Sequence, residues 1–163
     1  MSLALSTLKS KPQSMTRILM VQGHPDGTSK HLAHALAESY EEGAKSAGHE
    51  IRHLVIAILE FPFLRSQHDW DHGSLPPSLD TAQADLVWAQ HLVLFFPLWL
   101  GQSPASVKGF FEQVLRPGFA FHSDGKNPYA RKGLKGRSAR IVCTMGMPAS
   151  VYRVTTGHTD SLP

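Results

Sequence analysis

Cysteine is almost missing from this chain: Cys143 is the single one among 163 residues. One thiol excludes an intramolecular disulfide framework and suits a reducing, cytoplasmic setting. It lies in Ala139-Arg140-Ile141-Val142-Cys143-Thr144, a strand-like run, so an inert buried thiol is expected rather than a nucleophile. Long apolar runs are missing too. None approaches the ~18 residues that a spanning helix needs, and no membrane insertion is expected. Residues 1–16 carry Ser and Lys but no apolar h-region, which excludes a secretory signal. Residues 1–15 therefore read as a flexible extension, with the first strand directly behind Met15. Repeats and low-complexity tracts are absent. Charge of one sign is not in excess, since 16 Lys and Arg against 13 Asp and Glu leave a net +3. Basic residues do collect at Lys126, Arg131, Lys132, Lys135, Arg137 and Arg140, with no acid among them. That cluster reads either as a solvated loop or as a phosphate-attracting rim. Nucleic-acid binding would want interleaved aromatics or a groove-reading helix, and neither is visible.

What the sequence does have is alternation of short apolar strands with helical stripes. Arg17 to Gln22, RILMVQ, reads as a strand that Gly23 ends. A helix is expected from Thr28 or Ser29 to about residue 47, with Leu32, Ala33, Leu36, Ala37 and Tyr40 as its stripe and Gly48 closing it. Residues 50–58 read as a second strand, and residues 60–78, with Pro62, Pro76 and Pro77, as a long polar loop. A helix over 79–89 leads into Leu92-Val93-Leu94-Phe95-Phe96, the run expected of a strand buried on both faces, which Pro97 ends. Ser103-Pro104 reads as N-cap and first position of a helix over 105–115, which Pro117-Gly118 stops. A last strand is expected over 138–145. The order β-α-β-α-β-α-β is that of an α/β doubly wound parallel sheet.

The loops narrow the choice. Gly23-His24-Pro25-Asp26-Gly27-Thr28-Ser29 lacks the G-x-G-x-x-G spacing of a dinucleotide fold. Gln22-Gly23-His24 also lacks the acid pair of a receiver domain. Thr28 and Ser29 fit either a structural helix cap or hydroxyls holding a phosphate at the helix start. His24 fits a turn residue or a phosphate donor. His31 and His34 share a helical face, but no carboxylate or third ligand stands near them in sequence, so no metal site is expected. Asp69, Asp71 and His72 flank Trp70 and read equally well as a solvated turn. Leu98-Trp99-Leu100 places large apolar groups in a loop at a strand's carboxyl end; core or interface packing and the wall of a flat ligand both remain open. Gly146, in Thr144-Met145-Gly146, could let a ring approach closely or simply mark a tight turn.

Taken together, four segments resemble one family. They are Gly23-His24-Pro25-Asp26 with Thr28-Ser29; Phe96-Pro97-Leu98-Trp99 with Pro104-Ala105 and Lys108-Gly109-Phe110; Gly118-Phe119-Ala120-Phe121; and Thr144 and Gly146 ahead of Tyr152. They are similar to the flavodoxin-like NAD(P)H:quinone oxidoreductases, a group that includes DT-diaphorase, the modulator-of-drug-activity enzymes and the ancillary quinone reductases of potassium efflux systems. The resemblance spans residues 17–152. It implies a homodimeric, cytoplasmic enzyme holding FAD or FMN at the carboxyl edge of the sheet and passing a hydride from NAD(P)H to a quinone-like acceptor. It implies that His24, Thr28, Ser29 and His31 hold the phosphate end, that Pro97, Leu98, Trp99 and Leu100 line the ring, and that Thr144, Met145 and Gly146 meet its other edge. Tyr152 matches an active-site tyrosine, and His158 stands where some members carry a histidine. Lys30 and His31 replace residues that are often Phe and Asn in the motif. The family's sheet order is 2-1-3-4-5, but residues 153–163 have no helical stripe, so the flavin-binding domain is expected over 16–152, with the fifth strand missing from a truncated or diverged tail. A non-catalytic flavodoxin-like binding or regulatory module, such as a transporter-associated subunit, is the alternative.

Overall fold

The computed structural model describes residues 14–122, 131–148 and 150–152. Strand β1 (Arg17–Gln22) is buried from its second residue onward, because it is central and covered on both faces. Helix α1 (Leu32–Ser46) returns the chain to β2 (Glu50–Val55), which pairs parallel to β1 with Arg17 opposite Glu50. A short 3-10 turn (Ile56–Ile58) comes next, so the second strand is shorter than its apolar run suggests. Helix α2 (Gln67–His72), a second 3-10 turn (Pro77–Leu79) and helix α3 (Asp80–Trp88) lead to β3 (His91–Pro97). Helix α4 (Ala105–Val114), a two-stranded ribbon of β4 (Phe121–His122) and β5 (Arg131–Lys132), and β6 (Ser138–Thr144) complete the order.

The main sheet runs β2-β1-β3-β6, with all neighbours parallel. This is the doubly wound arrangement expected, in four strands. Alternation along the strands builds two cores. Leu19, Val21, Leu94 and Phe96 pack with Leu79, Leu86, Val107, Phe110 and Val114 from α3, α4 and the turn before α3. Ile18, Met20, Val93 and Phe95 face the other way, toward Ala44, Ala37 and Tyr40 of α1. The strand order reverses between β1 and β3, so α1 and α4 leave the same crevice toward opposite faces. Ligands of open α/β sheets bind at such a switch point.

Residues 60–78 are more structured than a polar loop. Ser66 caps α2 by accepting the Asp69 N–H at 3.1 Å, and Asp69, Asp71 and His72 therefore sit on a helix. The missed signal is Ser66 with an acid three residues on, a capping pattern readable in the sequence. Arg116, buried in the fold, fastens this segment: one guanidinium nitrogen donates to the carbonyls of Asp69 (2.7 Å) and Gly73 (2.8 Å), another to the Gln113 side-chain oxygen. Gln113 in turn donates to the Pro62 carbonyl at 2.5 Å.

Candidate functional site

At the crevice, the Gly23 N–H continues the ladder by donating to the Phe95 carbonyl at 2.7 Å. The next residue turns inward. His24 is 7% exposed, and its backbone N–H donates to Gln22 Oε1 at 3.1 Å. Its Nδ1 lies 3.1 Å from both the N–H and the carbonyl oxygen of Asp26. Nε2 has no hydrogen-bond partner among the described residues. Burial holds the His24 pKa below the ordinary imidazole value, helped by His31 and His34 and opposed by the hydrogen bond to the Asp26 backbone.

Asp26 organises the rest of the loop. Its Oδ1 accepts from the Thr28 N–H (2.8 Å), the Thr28 hydroxyl (2.7 Å) and the Ser29 N–H (3.3 Å), while Oδ2 meets His31 Nε2 at 2.9 Å. The Thr28 hydroxyl first, then His31 and the Thr28 N–H, hold its carboxyl well below the usual carboxylate range. This corrects the expected start of α1. Thr28 and Ser29 do not cap the helix; they close a turn on Asp26, and the cap falls on His31, whose N–H donates to His34 Nδ1 at 3.2 Å. A carboxylate competes for local N–H groups better than the helix does, which delays the first helical residue to Leu32.

Three imidazoles gather here. The rings of His24 and His31 stack with centroids 3.8 Å apart and planes 16° from parallel. His34 lies 5.3 Å from His24 and 5.7 Å from His31. Stacked rings do not converge their nitrogens on one point, and no metal-binding group forms among the described residues. The sequence pairs His31 with His34, but only the turn at Pro25 brings His24 onto them.

Trp99 presents its edge to His24, with centroids 6.2 Å apart and planes at 80°. It is 51% exposed and Leu100 is fully exposed, so neither serves as core. Trp99 and Gln102 exchange two backbone hydrogen bonds of 2.9 Å, closing a two-residue hairpin turn through Leu100 (φ 49) and Gly101 (φ 79). Two positive φ values in succession mark the primed turn of tight hairpins, where a leucine is strained. Pro97 does not stop β3 but is its last residue, opposite Thr144. Beyond Phe95 β1 has ended, so no ladder donor is needed on that side. The Leu98 N–H then donates to the Thr144 carbonyl at 2.7 Å, setting the β6 end beside the hairpin.

Tyr152 joins from the last described turn, whose Val151 and Tyr152 N–H groups donate to Pro148. A methyl group on Gly101 would lie 3.2 Å from the Tyr152 hydroxyl. Met145 comes after Thr144 on the same edge, whereas Gly146 is exposed and has open space where a side chain would stand. His158 lies outside the described residues. Cys143 is half-buried, with burial pushing its thiol pKa up, in keeping with an inert thiol. Arg137 leads into the amino end of β6, donating to the Ala89 (2.9 Å) and Val87 (2.7 Å) carbonyls. It therefore does not rim the crevice.

The fold and this crevice define a doubly wound α/β protein with a polar imidazole–carboxylate loop and an exposed apolar hairpin at its switch point. Residues 16–162 match the family model described as flavodoxin-like fold, Flavodoxin_2, and the chain belongs to that family. It is 26% identical over 167 residues to the NAD(P)H dehydrogenase (quinone) 1 of Rattus norvegicus, covering 90% of this chain and 60% of the rat protein. It is 25% identical over 148 residues to the FMN-dependent NADH:quinone oxidoreductase of Ruegeria pomeroyi, covering 82% of this chain and 72% of that one. Among solved structures, the NAD(P)H:quinone oxidoreductase from Methanothermobacter marburgensis superposes with a TM-score of 0.69 at 23% identity, covering 87% of this chain and 71% of that one. No helix among the described residues is long and apolar enough to cross a membrane.

Proposed function

We propose that the chain is a flavin-dependent NAD(P)H oxidoreductase that reduces quinones or similar two-electron acceptors, with residues 16–152 as its flavin-binding domain. One observation carries the reading: the His24–His31 loop, the Trp99–Leu100 hairpin, Thr144 and Tyr152, far apart in sequence, meet at one switch-point crevice. Their chemistry fits a flavin. Trp99 and Leu100 offer an exposed apolar wall for a flat ring, held out by a strained turn that burial does not explain. The loop offers donors at the amino end of α1, where the helix dipole favours an anion and no acid occupies the first turn.

In this reading His24, Thr28, Ser29 and His31 hold the phosphate end. Pro97, Leu98, Trp99 and Leu100 flank the ring and exclude water, and Thr144 and Met145 border its far edge. The Tyr152 phenol donates a hydrogen bond toward developing charge at the reacting centre, as does His158. A bound flavin supplies the hydride-accepting ring. FAD and FMN are both compatible, and the protein acts as a homodimer. A non-catalytic flavodoxin-like module is the second reading, favoured by Asp26, whose carboxylate already takes the loop's donors.

Colour is the test. Protein purified from a flavin-rich host should absorb near ~450 nm, bleach with NADPH and recover with a quinone. A colourless preparation that takes up neither FMN nor FAD rejects the enzyme reading.

A further inference from the structure

We propose that the stacked histidines make capture of a phosphate-bearing ligand at this loop proton-coupled: Asp26 occupies the donors in the free protein, and the imidazoles take up a proton when a phosphate settles beside it. This rests on the reading of the loop as the phosphate end of a flavin site, but the residues that carry it are this chain's own.

The difficulty a phosphate meets is visible in the geometry. Three donors, the Thr28 N–H, the Thr28 hydroxyl and the Ser29 N–H, already converge on one oxygen of Asp26. A second anion beside that carboxylate is repelled unless positive charge is added. The groups that face the loop are few. From the loop come His24, Asp26 and the exposed Lys30; from α1 come His31 and His34; from the hairpin after β3 comes uncharged Trp99, with the Tyr152 phenol behind it. Imidazole is the side-chain class among these whose ordinary charge change falls near neutral pH.

The cluster is built to accept that charge. His24 keeps a partner in either state: unprotonated Nδ1 accepts the Asp26 N–H, and protonated Nδ1 donates to the Asp26 carbonyl, both at 3.1 Å. Its Nε2 has no partner among the described residues and reaches the surface, although most of the residue is buried. His31 Nε2–H donates to Asp26 Oδ2 at 2.9 Å, so a proton added at the ring's Nδ1 turns this contact into an ion pair that offsets the carboxylate charge opposing the ligand. Rings 3.8 Å apart cannot both be charged cheaply, which limits uptake to about one proton. Uptake strengthens binding as pH falls, and the gain is lost as pH rises through the imidazole pKa of the bound state.

The experiment is calorimetric titration of the full chain with FMN, and separately with inorganic pyrophosphate, in buffers of different ionisation enthalpy between pH 6 and 8. About one proton should be taken up per ligand, and affinity should rise roughly 3- to 10-fold per pH unit lowered. His31→Asn keeps a side-chain donor for Asp26 but removes a titrating ring, and should flatten that slope. Imidazole NMR titrations of the unaltered protein give a second measure that does not depend on the variant folding. FMN binding that is independent of pH, without proton uptake, overturns the proposal and leaves the flavin reading standing. Pyrophosphate binding with uptake while FMN never binds supports the proposal and removes the flavin reading. If neither ligand moves the imidazole signals, the proposal falls.

Discussion

Gly23 lies so close to Val107 that a methyl group placed on it would sit 2.7 Å from Val107 Cγ2 and 2.9 Å from the Phe95 carbonyl oxygen. The end of β1 therefore touches the start of α4 across the crevice. Val107 could turn aside, but the Phe95 carbonyl belongs to the ladder and cannot. Gly23→Ala should cost about 1–3 kcal/mol and misplace His24. Denaturant unfolding checks the loss; a variant as stable as the parent would contradict this packing.

Leu100 sets stability against use. Its left-handed φ costs a leucine about 1 kcal/mol, and its exposed side chain contributes no burial in return. Leu100→Gly should raise the melting temperature slightly while weakening flavin retention several-fold. A fall in both would show that the side chain supports the fold instead.

Arg116 offers the opposite case. Arg116→Met would leave the Gly73 carbonyl without its donor and the Asp69 carbonyl with the Gly73 N–H alone, at about 1–3 kcal/mol. Limited proteolysis should then cut near α2 before the sheet is attacked. Simultaneous loss of all protection would mean that this segment does not open separately.

Asp26 has a depressed pKa in the folded protein, so its contribution is present above the unfolded value of ~3.9 and is lost as pH falls through the lower, folded one. The Thr28 and Ser29 amide resonances should show no carboxylate transition down to about pH 4, and that transition should come only in stronger acid. A transition near pH 5 would be incompatible with the Asp26-centred turn.

Much of the fold is legible in the chain because its strands obey a simple rule. A central parallel strand is apolar throughout, and RILMVQ and HLVLFFP announce themselves. The site is half legible. Trp99-Leu100 stands out as apolar bulk in a loop, but its exposure and hairpin geometry depend on the backbone pairing of Trp99 with Gln102, which no periodicity reports. Thr28 and Ser29 mislead about the helix start because they are good caps in isolation, while the stronger acceptor, Asp26, stands just ahead of them. Helix α2 is hidden by its polarity, since it buries no residue and is held by Ser66 and Arg116 instead. The histidine stack cannot be read from spacing at all: His24 stands before the turn at Pro25 and off the helix that His31 caps.

The ladder joining β1 to β3 runs up to the Gly23–Phe95 hydrogen bond, so the floor of the crevice is fixed by interstrand distance and cannot widen for a guest. Adaptation is left to the rim, where two short loops, residues 24–31 and 98–104, supply no large side chain to either core. Ligand preference in such a protein can therefore be rewritten by a few substitutions at the rim, with folding left as it was. A library confined to those two loops samples chemistry without sampling collapse.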